Sequence, residues 1–288
     1  MSTTENLNPA ETFRKRMREQ QEGLKHRMKK IKHTLAVISG KGGVGKSTVT
    51  VNLAAAFALH GKRVGILDAD IHGPSVPKLL GLTGSQVRIG PPGAFPVPGP
   101  LGMKVISIDF FLPEEKTPTI WRGPLKMTAI RQFLSDVVWG ELDVLFIDLP
   151  PGTGDEPLSI AQLLPNIDGV IIVTMPSELS RVVVEKAVTF ARRVGMPIIG
   201  IVENMSGYVC PSCGDKIDIF QSGGGKKMSE ETGIKFLGSI PIDPNVGLDS
   251  DKGSPFVIEH ADSPAAKVFV EIVKEVESYL RIEKKPKA

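Results

Sequence analysis

Cysteine is almost absent from this 288-residue chain: Cys210 and Cys213 are the only two. Two thiols in a chain of this length exclude a disulfide framework. They also fall short of the roughly four ligands that a tetrahedral zinc ion or an iron–sulfur cluster takes. Long hydrophobic runs are missing too, and no apolar stretch approaches a membrane span. The opening residues, MSTTENLNPAETF, hold no apolar segment of the kind a signal peptide needs, so the expected setting is the cytoplasm. There is no internal repeat. What is present is ordinary for a globular protein: 41% apolar and 23% charged residues, in a length that suits one large α/β domain or two small ones.

Charge of one sign is concentrated. The net charge is +3, yet nine Lys and Arg (positions 14, 15, 16, 18, 25, 27, 29, 30 and 32) stand against Glu19 and Glu22. That segment carries +7 and the remainder about −4. Phe13, Met17, Leu24, Met28 and Ile31 recur at roughly helical spacing, which predicts a basic amphipathic helix interrupted near Gly23. Such a helix docks on the body or a partner; contact with nucleic acid or an anionic membrane is the other reading. Residues 1–33 are therefore set apart as a leader, 34–282 as the main domain and 283–288 as a basic tail.

Across the main domain, short β-branched runs alternate with helical stretches. Strands are expected at 34–39, 63–67, 104–108, 144–147, 170–174, 198–202 and 236–240, and helices at 46–59, 125–138, 156–164, 180–194, 225–232 and 265–282. Several strands are apolar throughout, as in a parallel sheet covered on both faces. The fold class is α/β: a doubly wound, mostly parallel sheet of about seven strands, with ligands at the carboxyl ends of the strands. The Pro- and Gly-rich stretch 84–102 reads as an irregular insertion or hairpin.

Directly after the first strand comes Gly40-Lys41-Gly42-Gly43-Val44-Gly45-Lys46-Ser47, a match to G-x-x-x-x-G-K-[ST]. The glycines let backbone N–H groups close around phosphate oxygens. Lys46 supplies charge to the β- and γ-phosphates and Ser47 a hydroxyl for Mg²⁺; Thr48 completes the expected set of nucleotide contacts. The helix that follows points its positive end at the phosphates. Lys41 is an extra lysine in the loop. Its side chain can reach a neighbouring subunit's nucleotide, like an arginine finger, or it is simply solvated.

Acids end two strands. Asp68-Ala69-Asp70, at the end of the second strand, places two carboxylates at i and i+2, which on an extended strand point the same way. Asp70 is the candidate for orienting the attacking water and Asp68 lies on the metal side; the plainer reading is turn-forming acids. The run Val144-Leu145-Phe146-Ile147-Asp148 is an apolar strand ending in a candidate Mg²⁺ ligand. The loop from Leu149 to Asp155 is placed to sense a γ-phosphate. Asn204 can present an amide to a base edge, and Pro241 and Asp243 can wall the same pocket. Cys210-Pro211-Ser212-Cys213-Gly214 allows both sulfurs to face one metal, with Gly214 relieving the backbone. Two subunits giving two cysteines each would complete the ligand set; a redox dithiol and an inert loop are the alternatives.

Together these stretches resemble the Mrp/ApbC family of P-loop NTPases, within the deviant-Walker-A group that includes MinD, ParA and the nitrogenase iron protein. The resemblance rests on Gly40–Ser47, on Asp68-Ala69-Asp70-Ile71-His72-Gly73-Pro74-Ser75, on Trp121-Arg122-Gly123-Pro124, on the residues from Asp148 to Asp155, on Glu203-Asn204-Met205-Ser206 and on the cysteine pair. It implies an ATP-hydrolysing homodimer that carries a [4Fe–4S] cluster between subunits on Cys210 and Cys213 of each. It further implies that Lys41 contacts nucleotide in trans, Asp70 activates water and Asn204 contacts adenine. The cluster would come from the iron–sulfur assembly machinery and go to apoproteins. The leader holds no cysteine, so no second N-terminal cluster is expected, and its shortness resembles archaeal members. A MinD- or ParA-like positioning ATPase on membrane or DNA, and a nucleotide switch with structural zinc, are the rivals. An amide-forming synthetase would need a substrate pocket that no motif supplies.

Overall fold

A computed structural model describes residue 23 and residues 27–70, 73–111, 136–163, 167–210, 213–219 and 223–282. Most of the basic leader helix, Ile71 and His72, the Trp121–Pro124 motif, nearly all of the helix expected at 125–138, Pro211 and Ser212, and the basic tail lie outside the described residues. The strands are β1 (Ile31–Ile38), β2 (Val64–Asp68), β3 (Arg88–Gly90), β4 (Gly93–Phe95), β5 (Val97–Pro98), β6 (Lys104–Ser107), β7 (Leu142–Asp148), β8 (Gly169–Thr174), β9 (Ile198–Glu203), β10 (Tyr208–Val209), β11 (Lys216–Ile217) and β12 (Phe236–Ser239). The described helices are α1 (Lys46–Leu59), α2 (Val76–Leu79), α3 (Asp155–Leu163), α4 (Glu178–Arg193), α5 (Gly224–Thr232), α6 (Pro244–Lys252), α7 (Phe256–Glu259) and α8 (Pro264–Tyr279).

Eight strands form one sheet in the order β12-β9-β8-β1-β7-β2-β6-β5. Seven of them pair in parallel and correspond to the seven expected strands. The eighth, β5, is two residues long and antiparallel to β6 at the edge. It belongs to the stretch expected to be irregular or a hairpin, which also contains the β3–β4 hairpin. β1 begins at Ile31, three residues before the expected start, and Met28 and Ile31 are already buried.

Period-two alternation along the central strands feeds two cores. Leu35, Val37, Val144, Phe146, Ile171 and Val173 face the layer built by α1, α7 and α8. Ala36, Ile38, Leu145, Ile147, Val170 and Ile172 face the layer containing α3, α4 and α5. Helix α1 is buried along almost its whole circumference, because the sheet lies beneath it and α7 and α8 close over it. Phe57 on α1 meets Phe146 on β7 edge to face, with ring centroids 5.4 Å apart. That geometry adds about 0.5–1.5 kcal/mol beyond the area buried. β1 is flanked by β8 on one side and β7 on the other, so the crevice outside its carboxyl end is where strand order reverses.

At the opposite end of the sheet, Asp143 is nearly buried and accepts from the Arg63 backbone N–H at 2.8 Å and from both Nε and Nη2 of Arg63 at 3.2 Å, with Lys32 Nζ 2.9 Å away. Burial alone would push this carboxyl up, but the Arg63 bonds and Lys32 overcome it and hold it well below the usual carboxylate range. A carboxyl lowered by folding stabilises above its unfolded value, near pH 4, and loses that contribution as pH falls through the folded value. Asp143→Asn is expected to lower stability at pH 7 by roughly 1–2 kcal/mol, discounted for its exposed partners. The deficit should shrink below pH about 4, as read by urea unfolding at a series of pH values.

Candidate nucleotide site and cysteine hairpin

The loop from Gly40 to Gly45 joins the carboxyl end of β1 to α1. Gly43 and Gly45 both have φ of 79°, the left-handed region in which a Cβ is strained. Two glycines are also required by packing. A Cβ on Gly40 would lie 2.3 Å from the Val183 side chain and carbonyl on α4, and one on Gly45 would lie 2.3 Å from Nδ2 of Asn204. Gly45 caps α1 with no side-chain acceptor, and no acid occupies the first turn. The N–H groups and positive end of this helix are thus left to an anion.

Beneath the loop sits a buried charge cluster. Asp148, fully buried at the end of β7, has Lys46 Nζ 2.6 Å from Oδ2. Ser47 Oγ donates to the same oxygen at 2.6 Å, and Thr50 Oγ1 donates to Oδ1 at 2.7 Å. Asp68 is level with Asp148 on the neighbouring strand. It accepts from the N–H groups of Asp70 (3.1 Å) and Val76 (3.3 Å) and from Ser107 Oγ (3.2 Å). Burial, and then Asp148 beside it, push the Asp68 carboxyl well above the usual range, while Lys46 pulls the other way. Two buried acids with one buried lysine leave the pocket short of positive charge. Oxygen-only donors of this kind suit a hard cation such as Mg²⁺. No group of three or more His, Cys, Asp or Glu capable of holding a metal occurs among the described residues.

Asp70 is placed differently from the expectation of two carboxylates facing the same way on a continuing strand. Strand β2 ends at Asp68, and Asp70 lies past it, half-buried, with Oδ1 accepting from Gly73 N at 3.2 Å. The two acids are therefore split into a buried and a rim position. The 149–154 loop is tied to the carboxyl end of β1, just before the phosphate loop: Leu149 N donates to Val37 O at 3.2 Å and Gly152 N to Ser39 O at 2.8 Å. Lys41 is partly buried at the mouth, and its carbonyl accepts from Ser39 Oγ at 2.9 Å. Asn204 follows β9, and its Nδ2 donates to Val44 O at 2.9 Å. One N–H and Oδ1 remain for a base edge. Pro241 follows β12, while Asp243 caps α6 by accepting from Asn245 N at 3.0 Å.

The cysteines lie in the loop that joins the two short strands of the β10–β11 hairpin. Gly214 N donates to Cys210 O at 2.8 Å and Cys210 N to Asp215 O at 2.9 Å, closing the turn around Gly214 at φ 77°. Cys213 is exposed, with Sγ 3.3 Å from Asp215 Oδ2; Cys210 is half-buried. Neither cysteine is in a disulfide.

Comparison with known proteins agrees with this geometry. Residues 30–277 match the ParA family described as the NUBPL iron-transfer P-loop NTPase. The chain belongs to this family. It is 54% identical to an iron-sulfur cluster carrier protein of Methanocaldococcus jannaschii over 274 residues, covering 95% of this chain and 94% of that protein. It is 56% identical to a protein of the same name from Saccharolobus solfataricus, covering 87% and 84% respectively. Among solved structures, a nucleotide-binding protein in complex with ADP from Archaeoglobus fulgidus superposes with a TM-score of 0.74 at 44% identity, covering 86% of this chain and 95% of that one. The Aquifex aeolicus MinD cell division protein, at TM-score 0.63 and 19% identity over 88% of this chain and 98% of that one, shares the fold.

Two residues that matter here were not singled out in the sequence reading. Thr50 lies one turn after Ser47, on the same helix face, so the spacing carried the signal. Glu203 is an acid ending an apolar strand, as Asp148 is, and that shared pattern was its signal. Thr50→Val leaves one oxygen of a fully buried carboxylate without its donor, at an expected cost of about 1–3 kcal/mol. Thr50→Ser should restore most of it, as measured by chemical unfolding.

Proposed function

We propose that the chain is an ATP-binding and ATP-hydrolysing carrier that holds a [4Fe–4S] cluster between two copies of itself and passes it to apoproteins. The observation that carries this reading is the pairing of an anion-ready phosphate loop with two thiols on a hairpin, one of them exposed. A chain offering two thiolates completes a four-thiolate cluster with a second copy. The names of its 54–56% identical relatives support the same cargo. Among the described residues no helix is long and apolar enough to cross a membrane.

In this reading, the backbone N–H groups of the 40–47 loop and Lys46 hold the β- and γ-phosphates. The phosphates would draw Lys46 from Asp148, and Asp148, Ser47 and Asp68 would hold a Mg²⁺ ion, which would neutralise phosphate charge. Asp70 orients a water whose oxygen bonds to the γ-phosphorus as the bond to the bridging oxygen breaks, leaving ADP and phosphate. Lys41, reaching from the other copy, stabilises the charge that develops on the transferring group. Asn204, Pro241 and Asp243 form the base end, and the 149–154 loop reports the γ-phosphate to the rest of the domain. The cytoplasm, where thiols stay reduced, is the setting this chemistry needs.

Iron, acid-labile sulfide and zinc per chain after anaerobic reconstitution, together with sedimentation, test the proposal. About two iron and two sulfide per chain on a dimer is the expected result for one shared [4Fe–4S] cluster. Zinc without capacity for iron would make the protein a zinc-stabilised nucleotide switch. Cys210→Ala should abolish cluster loading while leaving ATP affinity unchanged; a full cluster on that variant would overturn the shared site. Lys46→Ala should abolish nucleotide binding by equilibrium dialysis. Lys41→Ala should retain binding and lose at least about tenfold in hydrolysis rate, since charge-stabilising groups of this type contribute two or more orders of magnitude.

A further inference from the structure

Glu203 is a fully buried carboxylate at the carboxyl end of β9, outside both the phosphate loop and the cysteine pair. Its donors come from both ends of the segment that carries the cysteines. At the exit, Ser206 Oγ donates to Oε1 at 2.5 Å. At the return, Gly223 N donates to Oε1 at 3.2 Å and Gly225 N donates to Oε2. Ser239 Oγ, on β12, is 3.3 Å from Oε1. Glycine at 225 is what admits this approach: a Cβ there would lie 2.9 Å from the Glu203 Cβ and 2.9 Å from the Phe236 ring. The carboxylate also faces the positive N-terminal end of α5.

The next residue holds the nucleotide end. Asn204 Nδ2 donates to Val44 O within the phosphate loop and fills the space that a Cβ on Gly45 would need. Consecutive residues thus grip the phosphate loop on one side and both ends of the cysteine segment on the other. Between them and the hairpin, Met205 has φ 58°, a left-handed conformation unfavourable for a side chain that is neither Gly nor Asn. Gly207 (φ 72°) and Gly223 (φ 80°) stand at the two ends of the segment. A cavity of about 410 Å³, lined by Ser206, Gly207, Tyr208, Asp218 and Gly223 among others, opens beside its base. The exit strand is also held along residues 240–242, through Ser206 N to Ile240 O and Ile242 N to Gly207 O.

We infer that Glu203 is a positioning residue that couples the phosphate loop to the cysteine hairpin, by clamping both ends of the cysteine segment next to the Asn204 grip on Val44. The inference rests on the proposed role of the hairpin as the cluster site, and it deepens that role by naming the route of nucleotide control. Phosphate contacts at the flanking loop N–H groups set the orientation of the Val44 peptide. Asn204 passes that orientation to the 203–206 turn, and the Glu203 clamp makes the hairpin move with the turn. Without the clamp, the two ends of the hairpin answer to different neighbours and the cysteines no longer report the nucleotide.

The test uses the full chain, reduced and free of iron and zinc. It compares the rate at which a maleimide alkylates Cys210 and Cys213 with and without Mg·ATP or Mg·ADP. In the wild-type chain nucleotide is expected to change the rate by about fivefold or more, the lower range of ordinary site-to-site coupling. Glu203→Gln keeps the size of the side chain but puts an amide donor against donors. It should bring the ratio to within about twofold while calorimetry still detects nucleotide binding. Ser206→Ala, which removes the exit donor without leaving a buried charge bare, should reduce the ratio in the same direction and decides the question if Glu203→Gln does not fold. Ser239→Ala, touching neither end of the segment, should keep the wild-type ratio. A merely structural role would change alkylation equally in both nucleotide states and leave the ratio alone. A wild-type chain with no nucleotide response, or a Glu203→Gln chain with the full response, overturns the inference. The assay needs no cluster. Failure to load iron would therefore count against the carrier reading, whereas normal iron loading with an unchanged ratio in the variant would count against the clamp.

Discussion

The Asp148 carboxylate, with no solvent contact, constrains the whole upper half of the domain. A charge in that position is tolerable only if it is paired and hydrogen-bonded. All three of its partners, Lys46, Ser47 and Thr50, come from the first turns of α1. The helix can meet that demand only with its N-terminus seated on the end of β7. That seat in turn places the preceding glycine loop over the strand ends. The seat is held by an apolar surface that runs around the helix, with Val49, Leu53 and Phe57 buried against the sheet and its covering helices. Packing and electrostatics thus specify one position, and neither would do so alone. The second acid, Asp68, shares the lysine without a cation of its own, so the pocket is most comfortable when it gains positive charge.

Much of this was legible in the sequence because the signals were physically separate. Most of the seven parallel strands are short, largely buried apolar runs, and α1 spans the expected 46–59, bounded by a left-handed Gly45 and by His60-Gly61. The phosphate loop needs its glycines for reasons visible in residue types alone. What was harder to see had weak or shared signals. Asp243-Pro244 is a cap followed by proline at the first helical position, a start signal for α6, but Asp243 had been assigned to a base pocket. The strands of the cysteine hairpin and β5 are two residues long, too short for any period to show. The facing of Asp68 and Asp70 depended on where β2 ends, and it ends at Asp68 because the Asp70 and Val76 N–H groups turn back onto that carboxylate. The side-chain partners of Glu203 come from positions 206, 223, 225 and 239, a grouping created only by the folded sheet.

The two kinds of ligand chemistry in this chain are kept apart by the sheet. Oxygen donors gather where β2 and β7 end, inside the domain, where low polarity strengthens electrostatic interactions. Sulfur donors stand on a hairpin beyond β9, with Cys213 exposed. A cargo that must be handed on needs this arrangement, because thiolates sealed in a core would bind a cluster and offer no path for a second protein to take it. Exposure has its own consequence: an isolated two-residue ladder has little packing to fix it, and its position is set by what grips its ends. Those grips belong to residues next to the phosphate loop. A hairpin held in that way is free enough to exchange cargo and still attached to the phosphate loop.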